Sequence, residues 1–181
     1  MSKPPPLPAE VLARVLRVSG IDGFTLVFIA GGFGLISASY SDLLGAATGA
    51  LAAGAGLIEL HGRRRLRAGD CGGVGWLVRS QLVLLTVILL YIVYQLRTFD
   101  AQSLITSVEK LLATAQHTFG LEPTSLANMF ELTPQQLKEL TTQTICVSYI
   151  ATGVASFLIQ GGLALYYHRR AQAIGKALRK Y

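Results

Sequence analysis

The sequence predicts an all-α integral membrane fold: four transmembrane helices, with a small helical extracytoplasmic cap between helices three and four. Three observations lead there. The 181 residues are 51% hydrophobic and 14% charged, with a mean hydropathy of +0.48, whereas soluble domains carry about 25% charged residues. Acidic residues are segregated, with none in 23–41, 43–58, 71–99 or 140–181. Four apolar stretches, about 20–39, 43–60, 74–96 and 144–167, have the roughly 20 residues that a helix needs to cross a bilayer core of about 30 Å. Lipid offers no partner to backbone amides, so these stretches are helices rather than strands.

Residues 1–19 form a cytoplasmic lead-in. PPPLP is a short stiff segment, and from Ala9 to Val18 the apolar Val11, Leu12, Val15 and Leu16 oppose Glu10, Arg14 and Arg17. That pattern suits a helix lying in the membrane interface. No short apolar core ending in a small-residue cleavage site is present, so helix one is expected to stay in the mature protein. Transmembrane helices one to three occupy 20–97. Helices one and two are joined by SASYSD, a tight outer hairpin in which Ser41 or Asp42 can cap helix two. The link to helix three, HGRRRLRAGDCGG, is basic and has glycines at both ends. Helix three, VGWLVRSQLVLLTVILLYIVYQL, is apolar on every side, unlike a surface helix.

Residues 98–142 are the extracytoplasmic cap. Leu104, Val108, Leu111, Leu112, Ala115 and Phe119 recur at helical spacing, so helix three continues outward or restarts here. FGLEPTS is a break. TPQQLKEL then reads as a helix start, with Thr133 as N-cap, Pro134 at the first position and Gln136 closing a capping box. Two or three short helices are expected, too few to make an independent enzyme domain. Helix four occupies 143–168. In the basic tail, 169–181, the stripe of Tyr167, Ala171, Ile174, Leu178 and Tyr181 predicts an interfacial helix on anionic lipid, or a continuation of helix four.

Of 16 basic residues, 13 fall on the side of the two termini, and only Arg97, Lys110 and Lys138 on the other. The positive-inside rule then places both termini in the cytoplasm, at a plasma (inner) membrane. Cys71 and Cys146 lie in different parts of the chain and in no metal-binding spacing, which makes them two ordinary thiols.

Small residues mark the helix contacts. Gly45, Gly49, Ala53 and Gly56 share one face of helix two; Gly20, Gly23, Ala30, Gly31, Gly34 and Ala38 share one of helix one. Small side chains let backbones approach closely enough for dispersion to hold helices together in lipid. Helix two is small nearly all round, with only Leu44, Leu51 and Ile58 as a large stripe. It is therefore expected to meet helix four, or a second copy in a homo-oligomer; the alternative is a central helix of a monomeric bundle.

Polar residues inside the spans are the candidate functional groups. Thr144, Ser148, Thr152, Ser156 and Gln160 recur every fourth residue in helix four, and Thr48 and Glu59 lie along one line of helix two. Such residues mark pathways or partners, although serine and threonine can also bond the carbonyl four residues back. Asp22 and Arg79 stand at matched depth and are expected to pair. Glu59 is as readily held by Arg63 or Arg64 as poised to meet a cation. No HExxH, histidine–carboxylate cluster, paired cysteines or Walker motif is present, so no enzyme, metal or cofactor is expected. A basic tail tethered to a membrane favours anionic lipid over nucleic acid. Two classes remain. One is an oligomeric channel or small-solute or ion pathway lined by the helix-four stripe; the other is a non-catalytic scaffold or accessory subunit.

Overall fold

Four long helices, each apolar enough to cross a membrane, carry the fold, and a shorter helix lies between the third and fourth. They are seen in a computed structural model that describes residues 8–119 and 133–178. The elements are α1 (Pro8–Ser39), α2 (Leu43–Arg67), α3 (Gly73–Thr98), α4 (Ala101–Phe119) and α5 (Pro134–Leu178). The protein is an integral, polytopic membrane protein. PPPLP up to Leu7, the FGLEPTS break from Gly120 onward and the last basic residues, Arg179 and Lys180, lie outside the described residues, as does Tyr181.

Helix ends follow their local chemistry. Ser41 takes a positive φ of 59° in the α1–α2 hairpin. Asp42 caps α2 by accepting from the Gly45 N–H at 3.0 Å. At the start of α5, Thr133 N–H donates to Gln136 Oε1 at 2.9 Å and Gln136 N–H donates to Thr133 Oγ1 at 3.3 Å, a reciprocal capping box. That start does not belong to a separate cap helix. It opens one 45-residue helix that continues into the fourth span.

Two compact units are present: the described part of Met1–Tyr91 with Gly153–Tyr181, and Ile92–Thr152. In the first, α1 and α2 pack through glycines. A Cβ at Gly49 would stand 2.6 Å from Gly34 Cα, and one at Gly56 would stand 2.9 Å from the Gly23 carbonyl oxygen. Gly62 and Gly73 bring α2 against the start of α3 in the same way, since a Cβ at Gly73 would meet the Gly62 oxygen at 2.6 Å. Gly31 is looser, its added Cβ standing 3.8 Å from Ala53. Helix α2 thus meets α1, α3 and, through Tyr167, α5 within one chain. Much of its smooth surface is covered without a second copy, while Ala47 and Ala50 stay exposed.

The amphipathic start of α1 is not a separate interfacial helix. It is continuous with the first span, and Val11 and Val15 are buried against Leu66, Val74, Leu77, Tyr167 and Ile174. The tail stripe belongs to the same core: Tyr167 and Ile174 have no exposed surface. A second apolar layer, of Ala52, Ala55 and Leu84 with Leu26, Ala30 and Ile88, lies further along the bundle.

In the second unit, α4 restarts after Phe99, with the Asp100 carboxylate accepting from the N–H groups of Gln102 and Ser103. Its buried face is Ala101 and Ile105, joined by half-buried Leu112. The helical spacing expected here is realised in α4, on which Leu104, Val108, Leu111 and Ala115 are exposed.

Gly49→Ala is expected to cost about 1–3 kcal/mol, because even one methyl meets backbone that cannot yield. Gly54→Ala, where a Cβ meets nothing within 4 Å, is expected to stabilise by about 0.4–1 kcal/mol. Unfolding in detergent with increasing denaturant measures both, and equal effects would remove the close α1–α2 contact.

Candidate functional site

A layer of polar side chains crosses the first unit between its two apolar layers. Asp22 lies on α1 between Val15 and Leu26, Glu59 on α2 between Ala55 and Leu66, and Gln81 on α3 between Leu77 and Leu84. Tyr167 reaches in from α5. Glu59, Gln81 and Tyr167 have no exposed surface.

The bonding joins all four helices. Gln81 Nε2 donates to Asp22 Oδ2 at 2.8 Å and to Glu59 Oε2 at 2.9 Å. A primary amide has two hydrogens, one for each carboxyl group. Tyr167 O–H donates to the other Glu59 oxygen, Oε1, at 2.9 Å. Ser80, buried beside Gln81, donates to the Ala55 carbonyl at 2.8 Å, and so clamps α3 to α2 one turn away from Glu59. Two carboxyl groups therefore share one amide, and their hydrogen-bond donors are neutral.

The expected Asp22–Arg79 pair does not form. Arg79 is exposed, with its guanidinium 5.6 Å from the centre of the Trp76 ring, and His61 meets the same ring edge-on at 5.1 Å. Arg79 instead sits over an aromatic face in open surroundings, and half-buried Asp22 accepts from the Gln81 amide. Neither Arg63 nor Arg64 holds Glu59. Arg63 lies against Gly20, whose added Cβ would meet its guanidinium, and Arg64 is exposed. Among the described residues the ion pair is Arg65–Asp70, in the turn between α2 and α3.

Other predicted positions are scattered. Thr144, Ser148 and Thr152 are exposed on α5, and Thr152 O–H donates to the Ser148 carbonyl at 2.8 Å. Ser156, Gln160 and Thr48 are half-buried. Gln160 stands seven residues before Tyr167 and shares its helix face. Among the described residues, buried polar atoms without a protein partner include Gln160 Oε1, Ser19 Oγ, Arg63 Nε and Gln81 Oε1. Ser19 is one turn before Asp22, and Arg63 one turn after Glu59, so these atoms flank the carboxyl layer.

Asp70 lies in the turn outside the spans. The Gly72 N–H, followed by the Arg65 guanidinium, holds its carboxyl below the usual aspartate range. No family model, curated protein or solved structure matches the chain.

Two outcomes follow from this geometry. Tyr167→Phe removes one donor from Glu59 with little change of shape and is expected to cost about 1–3 kcal/mol. In a chain carrying Glu59→Met that cost should shrink, and strict additivity in the double-mutant cycle would show the two groups uncoupled. The Asp70 contribution to turn stability is present above the unfolded aspartate value of about 3.9 and is lost as pH falls through the lower folded value. The protection of the Gly72 amide, measured against its intrinsic exchange rate at each pH, should therefore fall at acid pH in wild type, and Asp70→Asn should flatten that dependence. An unchanged acid profile in the variant would detach Asp70 from the turn.

Proposed function

We propose that the protein is a pathway for a small cation across the membrane, with the Asp22–Glu59 pair as the station where the ion is held. The observation that carries this reading is two carboxyl groups on one amide, Glu59 buried and Asp22 half-buried, with no guanidinium or ammonium among the described residues bonded to either. A structural ion pair neutralises its own charge. This pair leaves that role to a proton or a monovalent cation, and intramembrane carboxyl groups of this kind mark ion routes.

The lining on either side supports the same reading. Ser156 and Gln160 lead along α5 toward Tyr167, and Ser19 and Arg63 continue the polar surface beyond the carboxyl layer. Conduction in this reading uses a homo-oligomer, since four helices enclose little free space and exposed Ala47 and Ala50 offer a smooth contact for a second copy. Both termini face the cytoplasm by the asymmetry of basic residues, which puts the carboxyl layer near the inner face.

The test is proton and monovalent-cation flux in liposomes holding purified protein, with Glu59→Gln as the comparison. The variant keeps the shape and the acceptor for Tyr167 while removing the ionisable group. Wild type should exceed empty vesicles, and Glu59→Gln should fall to their background while keeping its size by light scattering. Equal flux in both would overturn the role of the pair. Wild-type flux at background would favour a scaffold instead.

A further inference from the structure

We infer that the chain holds one anionic phospholipid in the cavity that α5 forms from Gly162, Leu165, Tyr166, Arg169 and Arg170. The cavity is an open groove along one face of α5, with a volume of about 440 Å³. A narrow cleft lined by Glu10, Val11, Arg14, Tyr166 and Arg170 adjoins it through the two shared residues, and brings in the basic start of α1. All of these residues belong to the first unit.

The lining changes character along the helix axis. Gly162 and Leu165 are at one end, and Leu165 is 48% exposed. Arg169 and Arg170 are at the other. At 1.5 Å of rise per residue, the seven steps from Gly162 to Arg169 span roughly 10 Å. An apolar wall passing into paired guanidinium groups over that distance matches one ligand class, an acyl chain joined to a phosphodiester. Arginine's planar fork suits phosphate oxygens.

Two details give the site its shape. Arg170 is half-buried and lies 5.8 Å from the centre of the Tyr166 ring, so one guanidinium is already oriented. At Gly162 an added Cβ meets nothing within 4 Å, which leaves the apolar end open for a chain to lie against the backbone. Three arginines against one glutamate leave the cavity and cleft cationic, and charge decides among amphiphiles. An anionic headgroup is drawn in and a zwitterionic one is not.

The experiment uses full-length protein in a neutral detergent and follows its thermal unfolding. Additions are short-chain phosphatidylglycerol, phosphatidylcholine of the same chain length, or inorganic phosphate. The anionic lipid should raise the midpoint by about 5 °C or more at saturation, and the other two should leave it in place. An equal rise with phosphatidylcholine would overturn the charge requirement, and an equal rise with phosphate alone would overturn the lipid. Arg169→Gln with Arg170→Gln should abolish the rise. Gly162→Leu fills the apolar end and keeps every charge, and should also abolish it while starting from a midpoint at or above that of wild type. A rise that survives in Gly162→Leu would overturn the placement in this cavity.

Discussion

A carboxyl group enclosed by four helices must find its hydrogen-bond donors among them, and the arrangement of the first unit follows from that requirement at Glu59. Burial without donors costs a polar group far more than a good hydrogen bond returns. Tyr167 and Gln81 supply the donors from α5 and α3, while Asp22 on α1 shares the second hydrogen of the amide. Each helix is held at one depth by a contact that has no substitute elsewhere in the apolar layers. Ser80 reinforces the arrangement by satisfying a carbonyl on α2.

Close approach makes the layer possible. Donor and acceptor meet at 2.8 and 2.9 Å only because the backbones stand near one another, and glycine permits that at Gly34 with Gly49, Gly23 with Gly56, and Gly62 with Gly73. Lipid gives no hydrophobic drive between apolar helices, so dispersion over these smooth contacts and the polar layer share the task. The glycine contacts are non-directional, and the polar bonds choose which rotation and depth each helix adopts.

Much of the fold was legible in the sequence. Four spans follow from run length and charge, and the Asp42 cap and the Thr133–Gln136 box follow from residue type at fixed offsets. The α1–α2 glycine contact was legible too, because small residues in lipid have few other uses. The carboxyl layer was read only in part. Asp22 and Glu59 stood out as charges, but charge suggested arginine partners, and the partners are a neutral amide and a phenol. Gln81 escaped notice because a single polar group in a long apolar run carries no periodic signal, and Tyr167 was read only as part of the tail stripe and not as a partner for Glu59. A signal was present in depth instead: Asp22, Glu59, Gln81 and Tyr167 each lie within five residues of an arginine at the same end of the bundle.

The alternation of apolar, polar and apolar layers has a mechanical consequence. Sliding one helix along its neighbours by a turn, about 5.4 Å, would carry a carboxyl group into hydrocarbon and strand its donors. Axial translation is thereby blocked. Tilting about the level of Glu59 is not, because the bonded atoms there scarcely move while the far ends of α1 and α2 swing. The polar layer thus fixes one level near one end of the bundle, against which the helices cannot slide.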